Sequence, residues 1–111
     1  MTDPIYKIVP RGEWESSGDP YKGSAHDSAD GFLHFSTKDQ LCETLRLYYA
    51  GQTDLLMIAV NVTALGAALR WEHSPSRSQD FPHLHGWLPK SAVISVQPIA
   101  DDAQARLSFA P

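Results

Sequence analysis

The sequence predicts an α+β fold with mixed or antiparallel sheets and one main helix. Apolar runs of strand length recur along the chain, one segment has its apolar residues at helical spacing, and strands and helices do not alternate regularly. With 111 residues the chain can build one core but not two. We therefore expect a single domain that spans residues 1–111.

The first third of the chain predicts two strands joined by a long loop. Ile5–Val9 is an apolar run of strand length, and Pro10 ends it and can open a short helix through Trp14. Residues 16–31 are rich in Gly, Ser, Asp and Pro, which is typical of a loop. A second strand is expected at Phe32–Ser36.

A helix is expected from about Thr37 to Ala50. Ser36 or Thr37 can cap its N-terminus, and Asp39 or Gln40 occupies the position at which a capping box has its second partner. Apolar residues then recur at helical spacing, namely Leu41, Leu45 and Tyr48. Their stripe is expected to face the core.

The second half of the chain predicts further strands. A strand is expected at Leu55–Asn61, and the continuous apolar run Leu55–Val60 indicates that it lies in the centre of its sheet. After a short helical connection, we expect a short strand at 69–72, a loop at 73–80, a late strand at 92–99 and a terminal edge strand at 105–110. Residues 81–89 are ambiguous, because two prolines bracket them.

Composition narrows the classes of function. The net charge is −4 and the Lys and Arg residues are scattered, which argues against a broad nucleic-acid surface. No apolar run has the length of a membrane span, and no basic segment leads into an apolar one at the N-terminus. The lone Cys42 fits a cytoplasmic protein without an intrachain disulfide. We expect a cytoplasmic protein that does not contact membranes.

Polar side chains inside the first two strands are the first candidates for a site. Alternation along the strand places His34 and Ser36 on one face, where they could line a cleft. Equally, His34 could bond a carbonyl group within the sheet, and Ser36 could simply cap the helix. Lys7 is either a solvent-facing residue of an edge strand or a cation that pairs with a phosphate or carboxylate. Asp30 precedes a Gly and suits a tight turn.

A second group of polar residues comes later in the sequence. His83 and His85 share a face if their segment is extended, and Glu72 could act as a general base or bind a hydroxyl group. Tyr21, in the predicted loop, could belong to a lid or to a solvent-facing turn. The histidines and Glu72 could together hold a divalent ion, but their spacing matches no metal motif. We therefore expect no bound metal.

Several motifs, in this order, resemble a family of small bacterial proteins, Domain of Unknown Function 952. They are IYKI, YKGSAHDSADGFLHFS, the following Gln40, the pair Trp71–Glu72, and FPHLHG. The resemblance spans roughly residues 5–96. Family members typically have D-G-F-I-H-L-S and F-P-H-L-Y-G, so this chain departs from the pattern at Leu33, Phe35 and His85.

The resemblance implies a fold similar to the ADP-ribosylation superfamily, in which NAD binds in a central cleft between two small sheets. By position, Lys7 would stand at the first motif of that superfamily, where Arg or His is usual. His34 and Ser36 would stand at the second motif, and Glu72 or the His83 segment near the third.

We thus expect a cleft that binds an anionic or nucleotide-like small molecule, with NAD as the candidate cofactor. His34, Glu72 and His83 are the expected catalytic residues, and the expected substrate-binding residues are Lys7, Tyr21, Asp30, Ser36 and His85. ADP-ribosyl or phosphoryl-group transfer is the first candidate reaction. The alternatives are a non-catalytic binding or accessory module and a metal-dependent hydrolase that uses His34, His83 and His85.

Overall fold

Two three-stranded antiparallel sheets form the framework of the protein in a computed structural model that describes residues 3–102 and 105–106. The first sheet has the order β1-β3-β6 and the second has the order β2-β5-β4. The strands are β1 Ile5–Pro10, β2 Leu33–His34, β3 Leu55–Val60, β4 Leu69–Ser74, β5 Gln79–Leu84 and β6 Val93–Pro98. The helices are α1 Arg11–Ser16, α2 Ala25–Asp30 and α3 Lys38–Tyr48, with 3-10 turns at Val62–Ala68 and Lys90–Ala92.

Strand β3 organises the core because both of its faces are buried. Leu56, Ile58 and Val60 belong to a cluster that also includes Leu33 and Leu84 of the second sheet. The alternate residues of β3 pack in a second cluster with Leu41 and Leu45 of α3. The predicted central position of this strand is therefore confirmed. The predicted apolar stripe of the helix is confirmed for Leu41 and Leu45 but is wrong for Tyr48, which is 57% exposed in the last turn of α3.

Helix α3 begins where the sequence predicts. Thr37 is its N-cap, and Oε1 of Gln40 accepts a hydrogen bond from the Thr37 backbone N–H at 3.0 Å. The side-chain amide of the buried Gln40 also donates to the backbone oxygen of Asp80 at 2.7 Å. One residue thus caps α3 and ties it to β5 of the second sheet.

The predicted loop at residues 16–31 is wrong in part, since it contains α2. Ser24 and Asp27 form a capping box, in which Oδ2 of Asp27 accepts from the Ser24 N–H at 2.8 Å and the Ser24 hydroxyl accepts from the Asp27 N–H at 3.2 Å. Gly31 ends α2 in the left-handed conformation, with φ 84°. Local capping outweighs the loop-like composition of the segment.

Other predicted boundaries change as well. The second strand is limited to Leu33–His34, because Ser36 leaves that sheet and pairs instead with Tyr6 of β1. The predicted loop at 73–80 is a hairpin whose strands include both of its ends, and the ambiguous segment contributes its first residues to β5. Of the predicted terminal strand, Ala105 and Arg106 are helical and residues 107–110 lie outside the described residues.

No helix within residues 3–102 or 105–106 combines the length and the apolar character that a bilayer crossing requires.

Candidate functional site

His34 stands between two carboxylates. Its Nδ1 lies 2.6 Å from Oδ1 of Asp27, and its Nε2 lies 2.8 Å from Oδ2 of Asp30. The imidazole is partly buried, Asp27 is 2% exposed, and Asp30 is exposed. Helix α2 carries both carboxylates and ends just before β2, so both lie close to His34.

Asp27 is the buried centre of this cluster. Its carboxylate accepts hydrogen bonds from Nζ of Lys7 at 3.1 Å and from the backbone N–H of His34 at 3.1 Å, besides its contact with the imidazole. Burial raises the pKa of Asp27, but the hydrogen bond from His34, the charge of Lys7 and the Ser24 N–H together hold that pKa well below its ordinary value. Asp27 therefore stays ionised.

Lys7 lies on the face of β1 that carries Ile5 and Val9 into the core. Burial lowers the pKa of its ammonium group, and the charge of Asp27 opposes this effect. The ammonium lies 2.9 Å from Asp27 Oδ2 and donates to the backbone oxygen of His34 at 2.9 Å. The carboxylate partner that the sequence allowed for Lys7 is thus supplied by the protein itself.

A second imidazole–carboxylate pair lies directly opposite the first one. His34 and His83 are partners in the register of β2 and β5, and their ring centroids are 5.5 Å apart. Nδ1 of His83 lies 2.8 Å from Oε1 of Glu72, and Nε2 of His85 lies 2.7 Å from the same oxygen. The ring of Phe32 stacks on His83 with centroids 4.1 Å apart.

The electrostatics of this second group are milder. Hydrogen bonds from His85 and His83 lower the pKa of Glu72, although burial opposes them. Burial lowers the pKa of His83, Glu72 raises it, and the neighbouring His34 lowers it further. His83 is thereby biased towards the neutral imidazole, the form that can accept a proton.

Hydroxyl groups continue the site from His34 towards α3. The Ser36 and Thr44 hydroxyl oxygens are 3.2 Å apart, and Nη1 of Arg77 donates to the Thr44 hydroxyl at 3.1 Å. The Arg77 guanidinium lies over the ring of Phe81, 4.6 Å from its centroid. Its Nη2 is buried without a hydrogen-bond partner among the described residues.

These groups border a cleft of about 680 Å³. Of the residues predicted as site residues, six line it, namely Lys7, Tyr21, Asp30, His34, Ser36 and His83. Glu72 and His85 do not line the cleft, but Glu72 bonds Nδ1 of His83, which does. Arg77, Asp27 and Phe32 also line the cleft.

Comparison with known proteins agrees with the ordered motifs. The family model described as "Protein of unknown function (DUF952)" matches residues 8–96, which is most of the chain. The chain belongs to this family. No curated protein matches it at a significant level.

Solved structures of one similar protein have a fold that matches this chain. The crystal structure of protein CC0527 from Caulobacter crescentus is 38% identical, covers 92% of this chain and 90% of its own, and superimposes with a TM-score of 0.85. The solution NMR structure of CC0527 is 38% identical, covers 92% and 89%, and has a TM-score of 0.80. These neighbours do not show a likeness to the ADP-ribosylation fold, which stays a prediction.

Two predicted positions in this DUF952 chain need correction. Tyr21 does not belong to a solvent-facing turn, because it is 1% exposed and its hydroxyl donates to Oε2 of Glu13 at 2.6 Å. Burial and the bond to Glu13 raise its pKa far above the ordinary value. Lys7 is not a free cation for a ligand, because it is 6% exposed and is already paired with Asp27.

Two residues of the cleft, Asp27 and Arg77, were not among the predicted site residues, and the sequence had suggested only a turn-forming role for Asp27. The segment Ser24-x-x-Asp27 is a capping-box signature that could have indicated both α2 and the fixed position of this carboxylate. Arg77 had no local signal, since it stands in a Ser- and Pro-rich turn that looks solvent-exposed. Its contact with Thr44 depends on the packing of the β4–β5 hairpin against α3.

Among the described residues, the side chains that could share a metal ion differ from the predicted set. They are His26, Asp30 and His34, whose donor atoms lie within 4.8 Å of one another. The set His34, His83 and His85 does not converge in this way, because His83 and His85 both face Glu72.

Proposed function

We propose that this protein binds a small anionic molecule in the cleft and that His83 takes a proton from it. The observation that carries this proposal is the presence of Arg77 and the Glu72-held His83 around one cleft. A cleft of about 680 Å³ has the size of small-molecule sites in general.

Arg77 is the group best suited to bind an anion. Its guanidinium stacks on Phe81 and uses Nη1 on Thr44, while Nη2 has no acceptor in the described part of the chain. An unpaired buried N–H is costly, so an acceptor supplied by a ligand would gain more here than at an exposed lysine. A carboxylate or phosphate offers two oxygens with the geometry that a guanidinium prefers. Arg77 thus takes the role that the sequence assigned to Lys7.

His83 is the group best suited to move a proton. Because Glu72 accepts from Nδ1, the neutral ring carries its lone pair on Nε2, which has no hydrogen bond to any residue in the described ranges. Burial favours the neutral ring, and Glu72 would stabilise the imidazolium that forms after proton uptake. Ser36 adds a hydroxyl group that could bond a polar atom of the ligand.

Nucleotides are one class of such anions, and NAD remains a candidate ligand through the resemblance to the ADP-ribosylation superfamily. ADP-ribosyl or phosphoryl-group transfer would be the corresponding reaction. The proposal itself requires only an anionic group within reach of Arg77 and an acidic proton within reach of His83.

A thermal-shift screen followed by calorimetry tests the proposal. The screen contains inorganic phosphate, small carboxylates, mononucleotides and NAD, because a ligand that binds the native state raises its melting temperature. For a ligand that raises the melting temperature, Arg77→Gln should weaken binding by about 10- to 150-fold if the lost hydrogen bond is charge-assisted. Arg46→Gln makes the same charge change on an exposed residue outside the cleft and should leave affinity unchanged.

The proton-transfer step has its own readout. NMR of the ligand after incubation should show solvent deuterium exchange or conversion with the wild type, and neither with His83→Gln. A ligand that binds through Arg77 but stays chemically unaltered would favour the non-catalytic binding module. Equal binding by wild type and Arg77→Gln would contradict the proposed anion site.

A further inference from the structure

Helix α2 and strand β2 bring three side chains together at the open edge of the cleft, namely His26, Asp30 and His34. Nε2 of His34 lies 2.8 Å from Oδ2 of Asp30, and Nε2 of His26 lies 3.6 Å from the same oxygen. The rings of His26 and His34 are stacked, with centroids 4.4 Å apart and an interplanar angle of 22°. Two imidazoles therefore present the same ring nitrogen to one carboxylate.

The hydrogen bonds of His34 determine which of its nitrogens can bind an ion. Oδ1 of Asp27 accepts from Lys7 and from the His34 backbone N–H, so it also acts as the acceptor for His34 Nδ1. Nδ1 must then carry a proton, and in the neutral ring the lone pair is on Nε2, facing Asp30. Two acceptors 2.8 Å apart require a shared proton or a cation between them.

We propose that His26, Asp30 and His34 bind a divalent transition-metal ion, with Zn²⁺ as the reference ion. Histidine ligands of metals generally donate their other N–H to a carboxylate, which orients the ring. Asp27 does this for His34 from a fully buried position, backed by Lys7. The site is thus supported from the core, while its open side faces solvent through the exposed His26 and Asp30.

The distances fit such an ion after a small adjustment. Tetrahedral zinc with bonds of about 2.1 Å places its ligand atoms about 3.4 Å apart. The two distances to Asp30 lie on either side of this value, and the largest separation within the set is below 4.8 Å. His26 is 73% exposed in its side chain, so rotation of its ring can close the remaining gap without disturbing the core.

The donor set also selects the class of metal. Two imidazoles and one carboxylate suit Zn²⁺ and other first-row transition ions, whereas Mg²⁺ and Ca²⁺ prefer all-oxygen sites. Three protein ligands leave a coordination position for water or substrate, as in catalytic zinc sites. The proposal replaces our expectation of a metal-free protein, which was drawn for a set of His34, His83, His85 and Glu72 that did not include His26 or Asp30. Metal binding does not depend on the proposed anion-binding function, because Arg77 is not among the proposed metal ligands.

Calorimetric titration of Zn²⁺ into the purified, chelator-treated protein tests the site. We expect one ion per chain, and no comparable heat with Mg²⁺. His26→Ala and Asp30→Asn should each weaken Zn²⁺ binding at least about tenfold, since loss of a ligand costs no less than loss of an outer-shell partner. His26 is exposed, so its variant should keep the wild-type melting temperature without metal.

His73→Ala is the matched control. His73 is also exposed and also contacts a carboxylate, that of Asp80 at 3.2 Å, but it is not part of the donor set. This variant should bind Zn²⁺ like the wild type, and Co²⁺ bound to wild type should show the visible bands of a low-coordinate nitrogen–oxygen site. Wild-type affinity in His26→Ala and Asp30→Asn, or an equal loss in His73→Ala, would overturn the proposal.

Discussion

His34 and His83 face each other across β2 and β5, and each bonds a carboxylate through Nδ1. The carboxylate of His34 is Asp27, which is 2% exposed and is also held by Lys7. The carboxylate of His83 is Glu72, which is 38% exposed and shared with His85. The same pair of chemical groups is therefore built once into the core and once at the surface.

The two carboxylates therefore have different effects, Asp27 on the stability of the fold and Glu72 on the proton affinity of the histidines. A buried carboxylate requires partners that compensate its desolvation, so the Asp27 cluster is tied to the stability of the fold. Water screens Glu72, so its effect is confined mainly to the proton affinity of the imidazoles it touches.

Lys7→Met should have the largest effect on stability. It leaves Asp27 buried without its ammonium partner, and breaking a buried ion pair in this way costs about 3–5 kcal/mol. Urea denaturation measures the loss, with Lys22→Met as the exposed control that should stay near wild type. A loss below about 1 kcal/mol would mean that Asp27 does not depend on Lys7.

Gly23→Ala should have an intermediate effect. Gly23 has φ 93°, and an added Cβ would lie 2.4 Å from Leu33 and 2.9 Å from Asp27. Overpacking of this kind costs about 1–3 kcal/mol, and the shift should weaken the His34–Asp27 contact. Gly12→Ala is the control, because nothing lies within 4 Å of its added methyl group. Equal denaturation midpoints for the two variants would contradict the close approach of α2 and β2.

The pH dependence contributed by His83 should be the smallest effect. Its pKa is lowered from 6.5 by burial, so the unfolded chain binds this proton more tightly than the folded chain. The free energy of unfolding should then fall as pH drops below about 6.5, down to the folded-state pKa, and should be unaffected by this group at higher pH. Melting curves of wild type and His83→Gln measure the difference, and the variant should lose this part of the slope.

Glu72→Gln provides the matched test at the surface. It removes the negative charge that raises the pKa of His83, so NMR titration should show that pKa moving further down. The melting temperature should change less than in Lys7→Met. A rise in the pKa of His83, or a melting temperature that falls as far as in Lys7→Met, would contradict the view that Glu72 acts mainly on the proton affinity of His83.

Local signals in the sequence were sufficient to predict several elements of the fold. Apolar runs of strand length predicted β1 and β3, and apolar residues at helical spacing predicted α3, because burial of two faces or of one requires these patterns. Gln40 was among the residues predicted to cap α3. The same patterns predicted an α+β fold. His34, Ser36 and His83 were singled out as polar residues in apolar surroundings, and the structure brings all three to one cleft.

The pairing of the polar groups, by contrast, depends on how the elements pack. Lys7 is 20 residues from Asp27, and Arg77 is 33 residues from Thr44, so the partner of each depends on how β1, α2, α3 and the β4–β5 hairpin pack. Strand alternation specifies the face on which a side chain lies, but not the group that opposes it. Lys7 meets a buried carboxylate and becomes part of the core, whereas Arg77 bonds a hydroxyl group and keeps one N–H without an acceptor among the described residues. Charge pairing acts through space and has no sequence period, so no local pattern predicts it.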